Sequence, residues 1–416
     1  MTTIHVRYLS VLSREARRLW SDGRGPILLV IAAGWLLSLG VRMIYPVMLP
    51  YLRDAYGLDL TTAGFLLTVL FIAYGLGQFP GGVLADRFGE KAILILSSAI
   101  SVGTLVLIVT ARSTPVLFLV TALFGFGVAL YAVARYTILA DLYPDQLGAA
   151  NGVTSAAADA GQSLLPPVAG FIAVAFAWQY GFGFAIPLFA LAAIALWAVV
   201  PSGRATPSPP AETSSLESAR TVLSGINRPP VRYGTALLLL GVTVWQAFTG
   251  FYPTYLIDEK GLSGTLAAVL FGLFFGLGVV VQPLSGAAYD RIGIKRSLLV
   301  VMGISGIGLV VLPVLEGFWP LVAITVVLST MLGFATITQL HLILSLPEEI
   351  QGTGFGLLRT VSFTIGAVSP ALFGAAADRG FFDEAFLGLA VLVGLIVVLG
   401  LVTPAAQATE SDRPSS

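Results

Sequence analysis

Uncharged apolar runs about twenty residues long recur along this chain, and they restrict its folding more than any other feature. Ala92–Thr110, Ser113–Ala134, Tyr233–Ile257, Gly261–Tyr289, Ser297–Leu315 and Ala385–Thr409 contain no Asp, Glu, Lys or Arg. A run of this length spans the hydrocarbon core of a bilayer as a helix. Inside that core the backbone must satisfy its own hydrogen bonds, which a helix does within one segment. Composition agrees: 56% of the residues are hydrophobic and 11% charged, against roughly 25% charged in soluble domains. The chain lacks the charge to coat a water-facing surface and reads as a membrane protein. Barrel strands alternate over about ten residues, and these runs do not. The 22 basic and 22 acidic residues cancel, so no net field points to a nucleic-acid partner. With no cysteine, disulfide scaffolds, thiolate metal sites and cysteine nucleophiles are excluded.

Tolerating one internal charge per run, the sequence predicts twelve helices over 26–51, 61–85, 92–111, 114–140, 149–174, 180–200, 233–257, 264–289, 297–315, 318–345, 352–377 and 385–403. Residues 1–25 are basic but are followed by a full span with no small-residue cleavage pattern, which argues against a signal peptide. Arginine and lysine placement sets orientation. With the N-terminus inside, the inner segments hold Arg7, Arg14, Arg17, Arg18, Arg24, Arg87, Lys91, Arg204, Arg220, Arg228, Arg232, Arg291, Lys295, Arg296 and Arg413. The outer loops hold Arg53, Arg112, Lys260 and Arg379. The expectation is a multi-pass protein of the cell (plasma) membrane with both termini cytoplasmic. Leu9, Leu12, Leu19 and Trp20 alternate with the N-terminal arginines, which suits either a helix on the inner leaflet or a flexible basic tail.

Residues 201–232, rich in proline and serine, have a linker composition. They divide the spans six and six. The expected organisation is a cytoplasmic segment 1–25, a six-helix bundle 26–200, a cytoplasmic linker 201–232, a second bundle 233–403 and a tail 404–416. Shifting the chain against itself by 204 residues supports a duplication. Tyr51, Leu52, Asp54 and Gly57 meet Tyr255, Leu256, Asp258 and Gly261; Gln78, Gly82, Asp86, Arg87, Gly89 and Lys91 meet Gln282, Gly286, Asp290, Arg291, Gly293 and Lys295. Matched charges in so charge-poor a chain are specific. Bundles of this kind place a binding site between them near the midplane and alternate access by rocking.

These residues resemble a family. GGVLADRFGEK (81–91) is similar to the hallmark loop of the major facilitator superfamily, G-x-x-x-D-[RK]-x-G-[RK]-[RK]. Gly82, Asp86, Arg87, Gly89 and Lys91 match, and Glu90 departs where a basic residue is usual. SGAAYDRIGIKR (285–296) repeats the loop through Gly286, Asp290, Arg291, Gly293 and Lys295. The resemblance implies a twelve-helix all-α membrane fold of two pseudo-symmetric bundles and alternating-access secondary transport. It also implies that Asp86 faces the positive N-terminus of the eleventh helix, near Gly352, and that Arg87 pairs with Asp141. Such a cluster would hold the cytoplasmic side shut; the bland alternative is a set of solvated loop charges.

Ionisable groups inside spans are costly and are therefore site candidates. They are Arg42 on the first span, Arg135 on the fourth, Asp159 on the fifth, His341 on the tenth and Arg359 on the eleventh. The family lines its cavity with spans 1, 4, 7 and 10. At the 204-residue offset Arg42 meets Gln246 and Arg135 meets Gln339, which gives Arg42, Arg135, Gln246, Gln339 and His341 as cavity candidates. Arg42 lies nine residues before the outer end, about 13 Å deep; it either serves the substrate or gate or snorkels outward. Arg135 either binds an anion or forms a static bridge to Asp141. His341 is a site residue or a neutral core histidine. Arg359 is assigned to the gate and has Asp159 as a possible partner. Asp159 is a proton-coupling candidate: burial raises a carboxylate's pKa and a neighbouring arginine lowers it, so it either shuttles protons or stays a fixed counter-ion.

Three intramembrane arginines against one carboxylate leave an excess of positive charge, and the arginine fork suits carboxylates and phosphates. The expected function is transport of a small organic solute, anionic or hydrogen-bonding, coupled to protons, by a monomer in contact with membrane lipid. No cofactor or metal is implied: there is no P-loop, no metal-spaced cluster and only two histidines. Enzyme activity has no support. The nearest rival is a drug/proton antiporter, whose fifth-helix motif resembles G-x-x-x-G-P-x-x-G-G; GQSLLPPVAG (161–170) keeps only Pro167 and Gly170 of its P-x-x-G. A non-transporting receptor on the same fold is a second alternative.

Overall fold

The computed structural model describes residues 19–20, 23–201, 227–347 and 350–404. The N-terminal segment, most of the linker and the tail lie outside them, with Arg7, Arg14, Arg17, Arg18, Arg204, Arg220 and Arg413. Among the described residues the chain is helical, with no strand. The helices are α1 (Arg24–Arg42), α2 (Ile44–Tyr56), α3 (Leu60–Phe88), α4 (Glu90–Thr110), α5 (Thr114–Leu142), α6 (Leu147–Ala175), α7 (Trp178–Gly183) and α8 (Ala185–Val199). After the linker come α9 (Pro229–Asp258), α10 (Gly264–Gly276), α11 (Gly278–Val311), α12 (Phe318–Leu328), α13 (Gly333–Ser345), α14 (Gln351–Gly366), α15 (Ser369–Ala377) and α16 (Phe382–Val402).

Ten stretches among the described residues are long and apolar enough to cross a membrane. One of them, Gly264–Val314, runs for 51 residues, about twice what a bilayer needs. It breaks at Gly293, whose φ of 73° few side chains tolerate. The 29-residue α6 is also of membrane length, its apolar content diluted by Asn151, Ser155, Asp159, Gln162 and Ser163. Counted this way, the helices are consistent with the twelve spans expected. Several spans are discontinuous. The first breaks at Met43, between α1 and α2, and the tenth carries a 3-10 turn, Ser329–Leu332, between α12 and α13.

The chain forms two compact units, residues 1–44 with 76–208 and residues 45–75 with 209–416. The first span thus divides at its Met43 break and the second at Gly75. In the first unit α1 and α6 meet backbone to backbone: a Cβ on Gly161 would lie 2.2 Å from the Leu36 carbonyl oxygen, and one on Gly40 2.7 Å from that of Gly161. Ser97 on α4 donates to the Gly127 carbonyl of α5 at 2.7 Å. In the second unit Phe248, Phe251, Tyr255, Phe373, Phe382 and Phe386 stack in one aromatic cluster joining α9, α15 and α16. Large apolar side chains such as Phe171, Leu191, Ile194, Trp197, Leu372 and Val391 are more than half exposed. In water that surface would be a liability; in lipid it is the face a span presents.

Candidate functional site

Arg135 is the best-defined polar centre of the first unit. It projects from α5, is 2% exposed, and lies between two aromatic faces, 4.8 Å from the Trp35 ring centroid and 4.2 Å from that of Tyr136. Its Nη1 donates to Asn151 Oδ1 at 2.8 Å and to the Thr154 hydroxyl. These four neighbours fix the plane of the guanidinium. Trp35 is itself set by α5: Tyr131 stacks on it at 6.1 Å and its hydroxyl donates to the Ile31 carbonyl at 2.9 Å. The helical stripe joining Tyr131 and Arg135 therefore serves one arrangement, the tyrosine holding the tryptophan that flanks the arginine.

Arg42 ends α1 at the Met43 break and is 4% exposed. Asp159 is half-buried on α6. Each is two residues from a glycine of the α1–α6 crossing, Gly40 and Gly161, about 3 Å of helix rise. The two spans run in the same direction, and Arg42 follows Gly40 while Asp159 precedes Gly161, so the two charges lie on opposite sides of the crossing, about 6 Å apart in level.

The second unit carries a separate set. Gln246 on α9 is fully buried, and its Nε2 donates to the Phe363 carbonyl of α14 at 3.3 Å. Its Oε1, the Thr338 hydroxyl and the Ser362 hydroxyl have no hydrogen-bond partner among the described residues. A buried polar atom left unpaired costs about 1–3 kcal/mol, so these three oxygens are candidate acceptors for a polar group. His341 on α13 is fully buried, its Nδ1 3.4 Å from the Tyr289 hydroxyl. Gln339 is half-buried. Arg359 is half-buried on α14, with its guanidinium 5.3 Å from the Phe363 ring centroid.

The two hallmark-like loops turn through glycines at positive φ, Gly89 at 84° and Gly293 at 73°. Asp86 and Arg87 are exposed, and Arg87 lies 5.3 Å from the Phe88 ring centroid. Gly82 and Gly286 sit in α3 and α11. Asp290, Arg291 and Lys295 are exposed. In the first unit, Phe88, Glu90, Lys91, Ile138, Asp141 and Trp197 line a cavity of about 350 Å³. Lys91 and the unusual Glu90 thus share a hollow with Asp141.

Residues that sequence reasoning passed over cluster in the second unit, at the end carrying the α2–α3 and α15–α16 turns. Arg53 pairs with Asp258 at 2.5 Å. Asp378 accepts from the backbone N–H of Leu60 at 2.7 Å, from that of Thr61 at 2.6 Å, and from the Thr61 hydroxyl. Tyr255 donates to Asp383 at 2.5 Å. Charge position in the sequence marks the charged groups only as loop residues; their partners lie 128 to 318 residues away.

Comparison with known proteins places the chain. The family model described as Major Facilitator Superfamily matches residues 30–370. A hexuronate transporter of Bacillus subtilis is 25% identical over 422 residues, covering 96% of this chain and 100% of that one. A probable sulfoacetate transporter, SauU, of Cupriavidus necator is 26% identical over 391 residues, covering 85% and 87%. The quinolone resistance protein NorA of Staphylococcus aureus is 23% identical over 383 residues, covering 88% and 93%. The solved inward-open conformation of the xylose transporter XylE from E. coli superimposes with a TM-score of 0.73 at 16% identity, covering 93% and 97%. At that identity the likeness shows the fold.

Proposed function

The chain belongs to the Major Facilitator Superfamily, and from that premise we propose that it is a secondary transporter moving a small organic anion by alternating access, driven by protons. The observation that carries the anion is Arg135, a buried guanidinium whose orientation is held by Trp35, Tyr136, Asn151 and Thr154. A pre-oriented fork binds a carboxylate with little entropy left to lose. The buried Arg42 supplies a second positive charge in the same unit. Gln246, Thr338 and Ser362 offer neutral groups for solute hydroxyls, and Gln339 and His341 complete the lining. The hexuronate and sulfoacetate relatives are named for organic anions, and this supports the same class here.

Coupling falls to Asp159. It lies across the α1–α6 crossing from Arg42, about 6 Å away in level, so protonation would change the field at that arginine. With Asp159 ionised its charge offsets that of Arg42; with it protonated Arg42 attracts an anionic solute more strongly. Asp86, Arg87, Gly89, Lys91, Asp141 and Arg359, together with the second loop, form the gate on the linker side. The chain works as a monomer in the plasma membrane, with both termini cytoplasmic and the two duplicated bundles rocking about the solute.

Flux into proteoliposomes of the purified protein tests this reading. Uptake of a carboxylate such as a hexuronate, driven by an inward proton gradient without ATP, is expected. Saturating inhibition by organic cations, with none by carboxylates, would sink it. That result would favour the drug/proton antiporter, for which Pro167 and Gly170 of the fifth span and the quinolone-resistance relative speak.

A further inference from the structure

The second unit contains a helix start held by two carboxylates of different origin. The first N–H groups of α3 have no intrahelical acceptor and must find one elsewhere. Asp59, directly before the helix, takes the N–H of Thr62 at 2.7 Å, and this cap moves with the helix. Asp378, more than three hundred residues away, takes the N–H groups of Leu60 and Thr61 and the Thr61 hydroxyl.

Asp378 immediately follows α15. A negative charge there opposes the dipole of its own helix and gains only by facing the N-terminus of another. The two backbones are brought together for it. A Cβ on Gly64 would lie 2.3 Å from the Pro370 carbonyl oxygen, and one on Gly374 2.1 Å from that of Leu60. The neighbouring Arg53–Asp258 pair is partly exposed and contributes little by itself.

We propose that Asp378 is a positioning residue for transport, a detachable cap that latches the outer ends of the second and eleventh spans. The inference rests on the alternating-access reading above. The expected inner gate puts Asp86, near the C-terminal end of α3, against the start of the eleventh span. Asp378 does the converse from the end of the eleventh span to the start of α3. Each of the two spans ends in a carboxylate for the other's first turn, one at each membrane face, and one cap serves each state of the cycle. Because Asp59 stays with α3, breaking the outer cap leaves the helix start partly satisfied, which keeps opening reversible.

The cysteine-free sequence permits a clean measurement. Spin labels on cysteines replacing Arg112 and Glu316, in the full chain in lipid nanodiscs, report the separation of the outer ends by electron–electron resonance. Asp378→Ala is expected to shift population from the short to the long distance by about 3- to 30-fold. Asp378→Asn, which keeps an acceptor, is expected to shift it less, and Asp86→Ala to shift it the opposite way. If Asp378→Ala does not fold, Asp378→Asn alone decides by the same direction of shift. A folded variant at 378 that leaves the ratio within twofold, while Asp86→Ala moves it, overturns the cap and leaves alternating access standing. One invariant distance in the parent protein and in every variant, with no flux, overturns alternating access itself.

Discussion

Replacing Arg135 by lysine isolates what the arginine's surroundings are for. The substitution keeps the charge and removes the planar fork. Two ring faces at 4.8 Å and 4.2 Å lose a guanidinium that stacks on both, each contact being worth about 0.5–2 kcal/mol. The bonds to Asn151 and Thr154 lose their fixed geometry, worth about 1 kcal/mol net. Part of this loss falls on the fold and part on the bound solute. If half falls on the solute, affinity for a carboxylate drops by about 1–2.5 kcal/mol, roughly 5- to 70-fold. Arg135→Gln also removes the charge and is expected to cost about 2–5 kcal/mol of binding. Isothermal titration with a hexuronate, beside the thermal midpoint of each variant without solute, separates the two parts. Lysine and glutamine variants that bind within twofold of the parent would refute the assignment of Arg135 as the anion ligand. A large fall in midpoint with unchanged affinity would make the residue structural.

Asp159→Asn is expected to abolish proton-driven uptake while solute counterflow persists; uptake that continues unchanged removes Asp159 from the coupling step. Gly161→Val places a side chain against the Leu36 backbone, where even a Cβ would come within 2.2 Å of the carbonyl oxygen. Overpacking of this kind costs about 1–3 kcal/mol or more, read as a lower thermal midpoint, and an unchanged midpoint would mean that α1 and α6 do not pack this closely. Gln246→Leu together with Ser362→Ala removes two buried oxygens with no hydrogen-bond partner among the described residues. Affinity for a hydroxylated solute is expected to fall about 5- to 30-fold, with the midpoint lowered by no more than the one 3.3 Å bond from Gln246 Nε2 to the Phe363 carbonyl, about 1 kcal/mol; unchanged affinity would assign both oxygens to packing or water.

Legibility in this chain followed the range of the interaction. The spans were readable because a bilayer imposes its requirement on each segment separately. The duplicated loops were readable because Asp86, Arg87 and Lys91 recur as Asp290, Arg291 and Lys295 in a background almost free of charge. Arg42, Arg135 and Asp159 stood out as candidates because ionisable groups in hydrocarbon are expensive. Their settings were not readable. Nothing local in Trp35 or Asn151 marks it as a neighbour of Arg135, and no spacing along the fourth span tells what lies across from Arg135.

The sequence by itself determined the chemistry available to this protein: a helical membrane chain, a repeated charged loop and a few costly charges within the spans. The periodicity of one helix and the thickness of a bilayer suffice for that. Tertiary structure decided which partners those charges take. Arg135 is held by aromatic rings and neutral oxygens. Gly40 and Gly161 let α1 and α6 cross closely between Arg42 and Asp159. The first turn of α3 borrows its cap from Asp378. These are meetings between segments up to 318 positions apart, and such meetings depend on how whole helices cross, which no local pattern encodes.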